Sequence, residues 1–228
     1  MKIIINSYIK NTIALNHLLD SMKKQNEFKL YDIIVMVGGY YNNKCYEIHK
    51  NIEKIDNITY IRCNHNSIDF TGLITLLELY SNNKDEHYFY LHDTCKIGDN
   101  FYKKIASIDL KNVSSIKINK WFSMNMGIYS QKIINKFKDF LLSKKNTDEN
   151  KSMEFKSVNF QEDYIFNNDP NNILLDNYDG PYCTGEQYDY YNTGTMRIVE
   201  YYPNIDLYKI KANWRQKSLI DGIWTLNL

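Results

Sequence analysis

Four short apolar runs, each ending in a polar turn and separated by segments of helical spacing, constrain this chain more than any other feature. Ile3 to Ile5 leads into Asn6 and Ser7, then into Ile13, Leu15, Leu18, Leu19 and Met22. That spacing predicts a helix face, with Asn11 or Thr12 capping its start. Ile33 to Val37 is a near-continuous apolar run that ends in Gly38-Gly39, where the backbone can turn. A second helix is expected through Tyr46, Ile48, Ile52 and Ile55. Ile58 to Ile61 and Tyr88 to Leu91 are the third and fourth strands. Between them lies a helix over Asp69 to Tyr80, with Leu73, Leu76, Leu77 and Tyr80 on one stripe. Strands alternating with helices imply right-handed crossovers and a largely parallel sheet, whose C-terminal loops gather on one rim. Asn6, Gly38, Asn64 and Asp93 should share that rim.

Beyond about residue 110 the alternation fades. Ser114 to Ile118 reads as a strand, Gln131 to Leu142 as a helix, and Ser143 to Ser152 as an exposed polar loop. Met196 to Tyr201 and Ile205 to Ile210 are spaced as a hairpin around Pro203-Asn204. With 228 residues and 43% hydrophobic content, one sizeable core is available. The expected fold class is α/β: one domain over residues 1–228, a mostly parallel central sheet flanked by helices, and a more irregular C-terminal part.

Composition excludes several functions. A net charge of +1 and scattered lysines supply no field for a polyanion, so no nucleic-acid partner is expected. Cys45, Cys63, Cys95 and Cys183 are far apart and form no C-x-x-C pair, which points to thiols in a reducing, cytoplasmic setting. Met1 to Asn6 is too short for a signal-peptide core, and no run is long enough for a transmembrane segment. Heavy use of Asn, Ile, Lys and Tyr, with only 9 Gly and 3 Pro, is the bias of an AT-rich genome such as that of a large DNA virus or a protist. A viral origin would place the protein in host cytoplasm or with a virion. No G-x-G-x-x-G turn follows the first strand, and neither a P-loop nor a G-x-S-x-G elbow occurs.

The run His87-Tyr88-Phe89-Tyr90-Leu91-His92-Asp93-Thr94-Cys95 ends abruptly in a carboxylate-bearing turn. A buried strand that delivers an acid to its C-terminal end is how open α/β sheets build ligand sites. Asp93 is therefore the first candidate for chemistry; its other reading is a carboxylate that accepts a backbone N–H of its own turn.

With Asp93 on the rim of an α/β half, the chain resembles the GT-A glycosyltransferases of the inverting, Asp-x-Asp type. These carry a sugar from a nucleoside diphosphate donor to an acceptor. The resemblance covers Lys2 to about Asn168 and implies a nucleotide-sugar-binding half over 1–110 and an acceptor-binding half over 111–228. His92-Asp93-Thr94 stands where the family has its acidic motif, so only the central position is a carboxylate. The match implies a divalent cation on Asp93, with His92 as a nitrogen ligand that suits Mn²⁺ better than Mg²⁺ and Thr94 binding through its hydroxyl. His92 also reads as a cap or a ribose contact.

A second match is Gln161-Glu162-Asp163-Tyr164, similar to the family's x-Glu-Asp motif. It implies Asp163 as the base that removes the acceptor proton, with Glu162 as its helper. The same acids are also favoured in a helix's first turn. Trp121 to Ser130 is similar to the acceptor-side segment: Trp121 as sugar platform, with Asn125 and Gly127 beside it. Trp121 and Phe122 read equally as core aromatics. For the donor, the resemblance points to Asn6, Ser7, Tyr8 and Asp69, with Gly39 and Tyr40 nearby; Asp69 also reads as a helix cap. No His follows His92, so Arg197, Lys209, Lys211, Arg215 or Lys217 would neutralise the departing diphosphate, and Arg215 beside Trp214 is the choice among them. The expected partners are a nucleotide-sugar, UDP-linked rather than GDP-linked, and a carbohydrate or glycoconjugate acceptor. The competing reading is a catalytically weak or inactive binding or scaffold protein of the same fold.

Overall fold

The computed structural model describes residues 1–40, 45, 47–121, 123–148, 161–180, 182–194 and 196–212. The chain begins with β1 (Lys2–Tyr8), α1 (Thr12–Lys23) and β2 (Ile33–Gly38), the expected first βαβ unit. Then come β3 (Lys50–Ile55), β4 (Ile58–Arg62), α2 (Thr71–Tyr80), β5 (His87–His92), β6 (Cys95–Ile97) and α3 (Phe101–Ala106). The remainder supplies β7 (Ser115–Lys117), β8 (Gly127–Ser130), α4 (Gln131–Lys136), α5 (Lys138–Ser143), α6 (Tyr164–Asn168) and β9 (Asn172–Leu174). Last are β10 (Tyr182–Tyr188), β11 (Arg197–Tyr202) and β12 (Leu207–Ala212).

Eight strands form the central sheet in the order β3-β4-β2-β1-β5-β8-β7-β9. Strands β4, β2, β1 and β5 run parallel, as expected; β8 opposes β5, and β3 opposes β4. The fold is thus mixed α/β, with a large, mostly parallel central sheet flanked by helices. Both faces are covered. Ile3, Ile5, Phe89 and Leu91 point towards α1, α3 and the second sheet, while Ile4, Tyr88 and Tyr90 point towards α2, α4, α5 and α6. Such double coverage is why these strands read as continuous apolar runs rather than alternating ones. Tyr88, Phe89, Tyr90 and Leu91 are all fully buried, and Phe89 and Leu91 each contribute about 1.5–3 kcal/mol of burial. The second sheet, β10-β11-β12-β6, is antiparallel. It takes β6 from immediately after β5, so the chain passes from one sheet to the other through His92-Asp93-Thr94.

Three expectations change. The helix through Tyr46 to Ile55 is instead, from Lys50, the edge strand β3, hairpinned to β4 through Asp56-Asn57 with Asp56 at φ 53°. Lys50, Glu53 and Lys54 give that edge the charge that discourages further strand pairing. The helix from Gln131 breaks at Phe137 into α4 and α5. The helix expected from Asp69 begins at Thr71, behind a 3-10 turn over Ile68–Phe70. The hairpin of β11 and β12 forms as expected, within a residue or two at each end. No helix among the described residues is long and apolar enough to cross a membrane.

Candidate functional site

The strand order reverses at β1: β2 and β4 lie to one side of it, β5 to the other. At such a switch point the loops leaving neighbouring strands diverge, and open α/β sheets bind ligands in the crevice outside the strands' carboxyl ends. Here those ends carry Asn6, Ser7 and Tyr8 on β1, and His92 and Asp93 on and just beyond β5.

Register decides which of these side chains meet. β1 and β5 pair Ile5 with Leu91 and Asn6 with His92, so Ser7 falls beside Asp93 on one face. Ser7 Oγ donates to Asp93 Oδ2 at 2.8 Å, and Asp93 N–H donates to the Asn6 carbonyl at 3.0 Å. The Asn11 side chain and the Tyr8 N–H lie close enough to favour the ionised Asp93 carboxylate. Burial pushes the Asp93 acid up from the ordinary carboxylate range, against the pull of Ser7 and the Lys209 charge. Asn6 works on the other face. Its Nδ2 donates to the Ile68 carbonyl at 3.0 Å and its Oδ1 accepts from Gly72 N–H at 2.9 Å, tying β1 to the start of α2.

His92 is buried at the centre of a chain of polar contacts. Asn125 donates its Nδ2 to the Asp69 carbonyl at 2.7 Å, which turns its Oδ1 towards His92 Nε2 at 3.0 Å. An amide oxygen only accepts, so Nε2 carries the imidazole proton and Nδ1 carries a lone pair. Lys209 Nζ lies 3.1 Å from that Nδ1 and also donates to Thr94 Oγ1. Lys209 reaches this point because β12 pairs it with Cys95 of β6, just past the turn. Asp69 is not the cap of α2: the position before Thr71 is Phe70, without a side-chain capping bond. The Asp69 carboxylate instead lies 3.8 Å from His92 Nδ1 and is 18% exposed.

Asp163 closes the far end of the chain of contacts. Its Oδ1 accepts from Ser123 Oγ at 2.8 Å and Asn125 N–H at 2.9 Å. Its Oδ2 accepts from Ser123 N–H at 2.8 Å and faces Lys117 Nζ at 3.0 Å. A carboxylate offers about four lone-pair sites, and these four donors fill them. Asp163 thereby holds the turn in which Met124 and Asn125 both adopt positive φ, 52° and 48°. That conformation is costly for Met124, though tolerated by asparagine, and at a methionine it persists only where the surroundings impose it. Ile68, beside Asn6, is a third such position at φ 53°. Glu162 is buried next to Asp163 at 4% exposure.

The acceptor-side residues divide. Trp121 is 73% exposed, with the Lys120 ammonium 5.3 Å from its ring centre, so it is a surface indole and not a core aromatic. Asn125 is fully buried and faces His92, which makes it an internal link rather than a surface contact. Gly127 is required by packing: at φ 151°, an added Cβ would lie 2.3 Å from the Ile116 carbonyl oxygen and 2.8 Å from the Phe166 ring. Phe122, Trp214 and Arg215 lie outside the described residues. Lys209 and Ser123 complete the site; Lys209 is one of the five cations named for the diphosphate, among which Arg215 is the sequence-based choice, and its added signal is a lysine set in the apolar run from Leu207 to Ile210.

The expected metal ligands, Asp93 and His92, do not fit a divalent cation in this arrangement. Such an ion needs lone pairs, preferably on oxygen. The Asp93 oxygens face Ser7, Asn11 and the Tyr8 N–H, His92 Nε2 bears a proton, and its Nδ1 faces an ammonium group. A second cluster, His49, His65 and Glu78, has potential ligand atoms within 4.8 Å of one another. It is a structural tie, because His49 Nδ1 accepts from Asn64 N–H and its Nε2 donates to Glu78 at 2.7 Å, leaving that ring no lone pair.

The fold and rim define an α/β protein with a cluster of buried, hydrogen-bonded polar side chains at its switch point. No family model and no curated protein matches the chain. Among solved structures it is similar to a glycosyltransferase involved in the glycosylation of the major capsid of PBCV-1. The two share 14% sequence identity over 76% of this chain and 81% of that one, with a TM-score of 0.43.

Proposed function

We propose that the protein is a glycosyltransferase that binds a nucleoside diphosphate sugar, UDP-linked in this reading, at the β1/β5 crevice and transfers the sugar with inversion. One observation carries the reading: the two segments that resemble the family's acidic motifs, remote in sequence, are joined through Asp163, Asn125 and His92. The acceptor oxygen attacks the anomeric carbon as the bond from that carbon to the diphosphate oxygen breaks. The bonding pair leaves with the diphosphate, and the acceptor's proton passes to a carboxylate of the Glu162 and Asp163 pair. Because the Asp163 lone pairs already hold the 123–125 turn, Glu162 is the proton acceptor and Asp163 the positioning residue. Trp121 presents its indole face to the acceptor sugar. The setting is a reducing cytoplasm, in keeping with the unbridged thiols of Cys63 and Cys95.

The same filled lone pairs favour a second reading, a nucleotide- or carbohydrate-binding protein without turnover. Calorimetry with UDP and a UDP-sugar hydrolysis assay separate the two. The transferase reading expects UDP binding and turnover, with Glu162→Gln lowering turnover by roughly 10²–10⁴-fold while UDP affinity holds. Binding without detectable turnover supports the second reading. Turnover that survives both Glu162→Gln and Asp93→Ala overturns the first.

A further inference from the structure

Lys209 is 5% exposed, and its ammonium lies on two of the three residues of the His92-Asp93-Thr94 turn at the carboxyl end of β5. Its charge also acts on the third, Asp93. A buried ammonium is costly unless it is paired and hydrogen-bonded, and here β12 and β6 are aligned so that it reaches these partners. The Nδ1 lone pair of His92, which a metal ion would otherwise use, points at Lys209.

Arg197 on the neighbouring strand β11 is a second cation with an open purpose. It is 3% exposed, and its Nε and Nη2 have no hydrogen-bond partner among the described residues. Tyr191 lies against the guanidinium at 5.6 Å, and Asp93 is within electrostatic range. Nε and one Nη form the edge of a guanidinium that takes two oxygens of a phosphate in a fork. Buried donors of that kind call for an anion.

We propose that the site binds its nucleoside diphosphate without a divalent cation, the Lys209 ammonium standing where a metal ion would and Arg197, which the β11/β12 register sets on the other face of the second sheet, adding a second positive charge from the Asp93 side. The inference rests on the donor reading above and specifies how that site handles charge. When the anomeric carbon–oxygen bond breaks, the electron pair stays on the β-phosphate oxygen. Lys209 meets the charge that develops there, preorganised and shielded from water, and Arg197 adds its field at longer range.

The test is calorimetric titration of UDP into the full chain, once in EDTA and once in Mn²⁺. Variants Lys209→Met, Lys209→Arg, Lys209→His and Arg197→Lys are titrated alongside, each checked for folding by circular dichroism. Wild-type affinity should agree within about twofold between the two buffers. Lys209→Met should weaken UDP binding in EDTA by roughly 10–100-fold, the scale of a charged hydrogen bond, and Lys209→Arg by less. Lys209→His, which exchanges the cation for a ligand, should bind UDP better with Mn²⁺ than with EDTA. Wild-type binding that requires Mn²⁺ overturns the inference and leaves the donor reading standing. An absence of UDP binding in both buffers overturns the donor reading itself. Folded Lys209→Met and Arg197→Lys proteins that both bind as the wild type does would remove the two cations from the site.

Discussion

His65 has no exposed surface, and its ring nitrogens face Ser67 Oγ at 2.9 Å and Thr75 Oγ1 at 3.3 Å. Burial, reinforced by the Lys145 charge, pushes its pKa down to about 3 from 6.5. Between those values the unfolded chain takes a proton that the folded chain refuses. Stability contributed by the neutral ring is therefore complete above pH 6.5 and falls by up to about 1.4 kcal/mol per pH unit below it. Glu78 obeys a lower window. Burial raises its acid, but His49 and Lys145 bring it down to about 2 from 4.5, so its contribution is lost only as pH drops below 4.5. Urea midpoints measured from about pH 6.5 to 4.5 should thus decline for the wild type and decline less steeply for His65→Gln; parallel curves would refute the assignment. Trp121 supports a different prediction. An indole 73% exposed contributes little to folding, so Trp121→Ala should change stability by no more than about 0.5 kcal/mol. A stacked sugar should nonetheless lose roughly 5–10-fold in acceptor KM, the scale of an aromatic contact. A melting-temperature loss with unchanged KM would return Trp121 to a structural part.

Strand β8 illustrates what one residue demands of an element. Gly127 pairs with Lys117 of β7 and Tyr90 of β5, and the Ile116 carbonyl and Phe166 ring occupy the space of a side chain. Gly127→Ala combines a positive φ with an overpacked contact, so a loss of about 2–4 kcal/mol is expected in chemical denaturation. A loss below about 1 kcal/mol would mean that β7 and α6 yield. The elements that were legible in the sequence share a trait: their burial pattern is set locally. Ile3 to Ile5, Ile33 to Val37 and Tyr88 to Leu91 are buried on both faces, and α1 and α2 carry a plain apolar stripe. β3 was not legible because Ile48, Ile52 and Ile55 fit a helical spacing, and the hairpin turn lies in Asp56-Asn57 without a glycine. The site divides the same way. Asp93, Ser7 and His92 follow from strand ends in parallel register. Lys209 is one of five candidate cations, but its selection over Arg215, like Ser123 and the true part of Asn125, depends on how a second sheet and a strained turn fold back on that rim, which no local pattern encodes.

For the molecule as a whole, the turn from His92 to Thr94 is where the central sheet hands the chain to the second sheet, and polar contacts run through it from α6's start to β12. A ligand seated there braces both sheets at once. UDP at about 100 times its Kd should stabilise the protein by about 2.7 kcal/mol. For a chain of this size that raises the melting temperature by roughly 5–11 °C. The chain of contacts also predicts coupling between residues that share no bond. Asp163 fixes Asn125, Asn125 orients His92, and His92 receives Lys209. Asp163→Asn leaves the turn with fewer acceptors and frees His92 to rotate, so part of the UDP affinity that depends on Lys209 is already lost in that variant. In a double-mutant cycle on UDP affinity, Asp163→Asn with Lys209→Met should cost less than the sum of the single changes, by about 0.5–3 kcal/mol. Additive losses would show that the two ends act independently, and the link between the two acidic segments would then have no part in binding the donor.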